Sequence, residues 1–228
     1  MQLKYYEIIM LRKADLDYSI FCNYLLYDMI KLKSIVKEIF DANLLENNVE
    51  ITIYCDMDGV LCDFEKQFEK LTSTPPKEFE ASNGTKEFWK VILEDGEKFW
   101  SQMDAMPNFE YLKTELTTIA SDGRFKLKFL TSTSAGQILR NYPRQEAIDY
   151  IKNIESGKRI WLRTHWSGPI SIIFSDSGKS KAKYATPNSI LIDDLSPNIE
   201  AFIASGGNGI IFTDAHQAID ELKAKIKI

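Results

Sequence analysis

The sequence predicts an α/β sandwich with a mainly parallel sheet. Two observations predict it. From residue 50 onward, short apolar β-branched runs alternate with longer stretches of helical periodicity. Polar residues with chemical potential follow four of those runs, and strand ends are where an open parallel sheet binds its ligands. At 228 residues, the chain fits one medium domain with a small appendage.

Residues 1–48 read as a helical extension distinct from the rest. Positions 1–46 contain no glycine or proline, and Ile20, Phe21, Tyr24, Leu25, Met29, Leu32, Ile35, Val36 and Ile39 recur at helical spacing. Two helices are expected, with a break near residues 14–17. Two roles stay open for them: a packing extension on the main domain, or a surface for a partner or a second copy of the chain.

Residues 49–228 form the expected core. Asn47-Asn48 leads into Val49-Glu50-Ile51-Thr52-Ile53-Tyr54-Cys55, whose β-branched and aromatic residues make a strand. Strands are predicted at 50–55, 126–131, 170–174, 189–192 and 209–212, and helices at 107–120, 136–154, 196–205 and 215–226. Ser196-Pro197 reads as an N-cap followed by proline at the first helical position. Residues 64–105 interrupt the alternation. They carry Phe64, Phe68, Phe79, Phe88, Trp89, Phe99, Trp100 and Pro75-Pro76 without strand patterning, which predicts a small helical insertion after the first strand.

Composition narrows the function. A net charge of −5 argues against broad attraction to nucleic acid or an anionic membrane. An anionic substrate therefore needs a local cation cluster or a metal. Cys22, Cys55 and Cys62 are odd in number and lack a CxxC pair, so no disulfide framework is expected. Cys55 and Cys62 flank an aspartate pair, which suggests either thiol chemistry or small buried residues beside a strand. Neither a signal peptide nor a membrane span is legible, because the apolar run 18–30 is broken by Asn23 and Asp28. A cytoplasmic setting follows as the expectation. His165 and His216 are isolated and are expected at the surface or in loops.

The strand ends carry the chemistry. Asp56 and Asp58 follow the first strand, with Gly59 for backbone freedom. Thr131, Ser132, Thr133 and Ser134 follow the second, Lys179 and Lys181 lie near the third, and Asp193-Asp194 follow the fourth. Crowded carboxylates cannot all ionise without a compensating cation. A hard oxygen-seeking ion such as Mg²⁺ would satisfy them, and the lysine and hydroxyls suit phosphate oxygens. Singly, these pieces read as turns, caps or solvated faces; their order at successive strand ends is the informative part.

That order, Asp56-Met57-Asp58-Gly59-Val60-Leu61, then Phe129-Leu130-Thr131-Ser132, then Lys181, then Ile190-Leu191-Ile192-Asp193-Asp194, resembles the four motifs of the haloacid dehalogenase (HAD) superfamily over residues 50–213. Within it, the run Asp56–Phe64, Phe99-Trp100 ahead of Met106-Pro107, and Asn198-Ile199 with Gly206-Gly207 are similar to the 5′(3′)-deoxyribonucleotidases and their bacterial and phage relatives. The resemblance implies a three-layer Rossmann-like sandwich with a small cap, and a Mg²⁺-dependent phosphatase. Asp56 would be the nucleophile and Asp58 the acid–base, a position whose aspartate marks phosphatases rather than dehalogenases. Thr131, with backbone amides around Ser132 and Thr133, would hold phosphoryl oxygens. Lys181, or its rival Lys179, would neutralise the developing charge. Asp193 and Asp194 would hold the ion with Asp56 and the Asp58 carbonyl, the inner ligand of the two staying open. Phe64, Phe99 and Trp100 would contact substrate or fill the cap's own core. The implied substrate is a (deoxy)nucleoside monophosphate. The alternatives are another small phosphate ester, a nucleic-acid 3′-phosphate end, or a non-catalytic scaffold working through the N-terminal helices.

Overall fold

The computed structural model describes residues 50–227 and, ahead of them, Lys31 alone. The helices expected over residues 1–46 lie outside the described residues. Five strands, β1 (Ile51–Cys55), β2 (Phe125–Ser132), β3 (Ile172–Ser175), β4 (Ser189–Asp193) and β5 (Asn208–Ile211), form one sheet in the order β3-β2-β1-β4-β5. Every pairing in it is parallel. The chain winds outward from β1 to β3, then returns to lay β4 on the other side of β1. A crevice opens at such a reversal, between the carboxyl ends of β1 and β4.

Helices cover both faces. On one face, Ile53, Cys55, Phe129, Ile190 and Ile192 pack with Leu112, Leu116 and Ile119 of α4 (Phe109–Ser121), Trp161 and Leu162 of α6 (Arg144–His165), and Ile219 and Leu222 of α8 (Ala215–Ile226). On the other, Tyr54, Leu130 and Leu191 pack with Ile199 and Phe202 of α7 (Ser196–Ala204). Covering on both faces explains why β4 reads as a continuous run, buried at all five positions, and not as an alternation.

Between β1 and α4 the insertion is helical, as expected: α1 (Phe64–Thr72), α2 (Pro76–Asp95) and α3 (Glu97–Ser101). Its two connections to the sheet are tied together, since Met106 N–H donates to Leu61 O at 2.9 Å and Asp63 N–H to Asp104 O at 2.8 Å.

Two expectations need correction. The helix predicted at 136–154 is two helices, α5 (Ala135–Asn141) and α6, divided at Tyr142-Pro143. Proline holds the residue before it out of the helical region, and Tyr142 is extended at φ −127°, ψ 154°. The second helix also runs on to His165, through Ser156-Gly157. At α7 the cap position is Leu195, which makes no side-chain capping bond; Ser196 is already helical. The capping role passes to Asp193, whose Oδ1 accepts Leu195 N–H at 3.0 Å.

Candidate active site

The carboxyl ends of β1, β2 and β4 place the predicted residues around one crevice. Asp56 is 5% exposed and its N–H donates to Ile192 O of β4 at 2.9 Å, so the strand pairing itself fixes where it sits. Asp56 Oδ1 accepts Met57 N–H at 2.8 Å, and Oδ2 pairs with Lys181 Nζ at 2.6 Å. The same Nζ reaches Asp193 Oδ2 at 2.6 Å. Of the two candidates Lys181 and Lys179, it is Lys181 whose ammonium reaches these carboxylates. Lys179 is exposed on the same 3-10 turn (Lys179–Tyr184) and reaches none of these groups. Burial alone would lower the Lys181 pKa, but Asp56 and Asp193 outweigh it and hold the ammonium above its usual range.

The two adjacent aspartates differ. Asp193 is fully buried and both its oxygens are used: Oδ1 accepts Leu195 N–H and Asn198 Nδ2–H (2.9 Å), and Oδ2 accepts Lys181. Asp194 meets no cation among the described residues. Its carboxyl is pushed up to about 7, first by burial and then by Asp56 and Asp193. It lies against Gly59, which turns at φ +77°. A Cβ there would come within 2.7 Å of Asp194 Cγ, so only glycine lets this turn and this carboxylate coexist.

Oxygens of Asp56, Asp193 and Asp194 lie within 4.8 Å of one another. With Asp58, four carboxylates face two ammonium groups, Lys158 and Lys181, a formal charge of −2 if all ionise. A hard divalent cation fits this donor set, and Asp194 is the carboxylate left free to bind it directly.

Asp58 is 27% exposed at its side chain and pairs through Oδ2 with Lys158 Nζ at 2.7 Å. Burial raises its pKa against the pull of Lys158. Thr131 is fully enclosed, and its Oγ1 also accepts from Lys158, at 2.7 Å. Ser132 is half-buried and keeps its hydroxyl proton, its Oγ accepting Ser134 N–H at 3.0 Å. The Thr133 amide expected to bind phosphate is committed to Ser175 O at 2.9 Å, which follows from the β2–β3 pairing running on past Ser132.

Lys158 was missed in the sequence. It is fully buried on α6, in the part of the helix that the sequence left unassigned. A signal was present: Ile154, Lys158, Trp161 and Leu162 share one helical face, which sets a lysine in the middle of an apolar stripe.

The insertion's aromatics mostly pack on each other. Phe64 meets Phe68, Phe88, Phe99 and Trp100 at centroid distances of 5.3–6.5 Å and stays partly buried, with some surface left open. Trp100 is 3% exposed, lies under Lys158 Nζ at 4.7 Å, and has a buried Nε1–H without a partner among the described residues. Both flanking cysteines are free and buried, and burial pushes both thiols up, so neither is a thiolate nucleophile. His165 stacks on Trp161 and His216 on Tyr111 (4.2 and 4.1 Å), away from the crevice residues. No helix among the described residues is long and apolar enough to cross a membrane.

No protein-family model and no curated protein sequence matches the chain. Solved structures similar to it include a hydrolase from Streptococcus pneumoniae, at 15% identity over 78% of this chain and 99% of that one, with a TM-score of 0.41. A haloacid dehalogenase-like hydrolase from Xanthomonas campestris matches at 11% identity over 77% and 91%, with a TM-score of 0.43. The HAD-hydrolase YfnB from Bacillus subtilis, solved bound to magnesium, matches at 12% over 79% and 100%, with a TM-score of 0.40.

Proposed function

We propose that this chain is a magnesium-dependent phosphomonoester hydrolase of the HAD superfamily, working through an aspartyl-phosphate on Asp56, with a nucleoside monophosphate as its substrate. One observation carries the reading: Asp56 sits at the switch of the sheet, tied to Lys181 and beside Asp193 and Asp194, with a second carboxyl two residues on. A lone buried carboxylate is a poor nucleophile toward a phosphate dianion, because like charges repel. Lys181 relieves that repulsion from a nearly fully buried position beside Asp56.

In the first half-reaction the Asp56 carboxylate attacks phosphorus and the ester P–O bond breaks. Its electron pair leaves on the ester oxygen, which takes the proton of the Asp58 carboxyl. In the second, water attacks the aspartyl-phosphate, gives a proton back to Asp58, and Asp56 leaves as carboxylate. Ester and water thus become alcohol and phosphate. Burial raises the Asp58 pKa against the pull of Lys158, the direction an acid role requires. Ser132, with its half-buried hydroxyl, is the donor open to a phosphoryl oxygen, and Thr131 stands behind it. Asp56, Asp194 and the Asp58 carbonyl would hold Mg²⁺, with Asp193 acting through Lys181; when bound the ion would supply positive charge that eases attack on a phosphate.

The nucleotide assignment rests on the likeness of the Asp56–Phe64 run and of Phe99-Trp100 to the deoxyribonucleotidases. Phe64 has surface to lay against a base, while Trp100 has its unpaired Nε1–H to offer rather than an open face. The test is phosphate release from nucleotides, sugar phosphates and 3′-phosphorylated oligonucleotides, with and without Mg²⁺, in wild type and Asp56→Asn. Turnover of nucleoside monophosphates, lost in Asp56→Asn and without Mg²⁺, is expected. Equal release by wild type and variant would refute the mechanism, and a preference for another ester would move the substrate alone.

A further inference from the structure

Lys158 is an unusual cation for this crevice because it has nothing left to give a substrate. Its ammonium carries three N–H groups, and three acceptors take them: Asp58 Oδ2 at 2.7 Å, Thr131 Oγ1 at 2.7 Å and Ser132 O at 2.8 Å. Its remaining side is covered by the Trp100 ring. A fully buried ammonium is costly unless it is paired and bonded, and this one is both. The arrangement restrains Asp58. With Oδ2 held, Oδ1 is left with only the weak Cys62 thiol, whose Sγ lies 3.7 Å away.

The position of Lys158 is in turn set by the insertion. Gly157, the preceding residue, lets α3 of the insertion lie directly on α6: a Cβ there would stand 2.6 Å from Trp100 Cβ and would strike Glu97 O. Trp161 Nε1–H donates to Met103 O at 2.8 Å one turn further on, and Ser156 Oγ donates to the Glu97 carboxylate one residue before Gly157. The same stretch of α6 therefore carries both the seat for α3 and the lysine that reaches the sheet edge.

We propose that Lys158 is the positioning residue of the acid–base carboxyl: it fixes one Asp58 oxygen so that the other faces the leaving group, and it does so from a site that exists only when α3 is seated on α6. This rests on the phosphohydrolase reading above. It predicts a leaving-group signature that a merely structural lysine would not produce. An alkoxide needs a proton as the P–O bond breaks, whereas p-nitrophenolate leaves without one.

The experiment compares kcat/KM, which reports the steps up to aspartyl-phosphate formation, for the best alkyl phosphate of the panel and for p-nitrophenyl phosphate. Lys158→Met should lower the alkyl value by about 10–100-fold and the aryl value by less than about 5-fold, a share of the usual worth of a general acid. Asp58→Asn should show the same split more strongly, and the double variant should be no worse than Asp58→Asn alone. Equal losses on both esters, or losses that multiply in the double variant, would overturn the assignment. If Lys158→Met does not fold, Lys158→Arg makes the same comparison, and equal losses there overturn it too. A wild type that releases no phosphate from any ester sinks the phosphohydrolase reading and this role together; an active wild type with equal losses sinks only the role of Lys158.

Discussion

Replacing Asp194 by asparagine separates what the crevice does for the fold from what it does for a metal. Its carboxyl stands at about 7 against a usual 3.8, so folding into this site disfavours the ionised form. The gap is about 3 units, or ~4 kcal/mol at 1.36 kcal/mol per unit. Solvent reaching the half-buried side chain reduces this to about 1–3 kcal/mol. Between pH 3.8 and about 7 the folded chain binds more protons than the unfolded one. Metal-free stability therefore falls as pH rises through that window and levels off above it. Asp194→Asn removes this effect. At pH 8 in chelator the variant should be the more stable, its Tm higher by about 2–4 °C per kcal/mol, and at pH 5 the gap should shrink to less than about half, closing only below pH 3.8. Mg²⁺ at 100 times its Kd should stabilise wild type by ~2.7 kcal/mol and the variant far less. Thermal unfolding at both pH values, with chelator and with Mg²⁺, decides it. A variant less stable than wild type at pH 8 without metal, or one that keeps the full Mg²⁺ shift, would refute the reasoning.

Two further outcomes follow from the packing. Gly157→Ala should cost about 1–3 kcal/mol in urea unfolding, because the added methyl meets the backbone of Glu97 and Ser101 and cannot be accommodated by a rotamer change. Lys181→Met leaves Asp56 and Asp193 buried without their shared cation, so phosphate release should vanish and metal-free stability should drop by about 3–5 kcal/mol, with Mg²⁺ restoring part of the stability.

The sheet was readable because its central strands are covered on both faces, which makes β1 and β4 largely apolar, β-branched runs that lead into aspartates. That Asp56, Lys181 and Asp193-Asp194 would meet at one sheet edge was readable for the same reason, since each directly follows or closely precedes such a run. Lys158 was not, because it approaches the sheet edge from the middle of a helix and no strand announces it. The predicted helix ended at 154, before Ser156-Gly157, whereas it continues through that glycine, which lets α3 come close. The choice between Asp193 and Asp194 also lay beyond the sequence. It turns on which oxygens meet Leu195, Asn198 and Lys181, and that is a matter of three-dimensional placement.

The return of the chain across β1 has a consequence for the order in which the molecule is made. Asp56 and Asp58 emerge early during synthesis, whereas Lys181, Asp193 and Asp194 come near the end. The crevice cannot assemble until β4 is available to pair with β1, so its closest contacts are among the most distant in the chain. Until then the early aspartates stay solvated and apart from the later pair, and the electrostatic strain of gathering them is deferred. A nascent chain lacking β4 and the Lys179–Tyr184 turn before it holds Asp56 without the lysine and the aspartate pair that surround it in the folded protein, so the crevice is completed by its late segments.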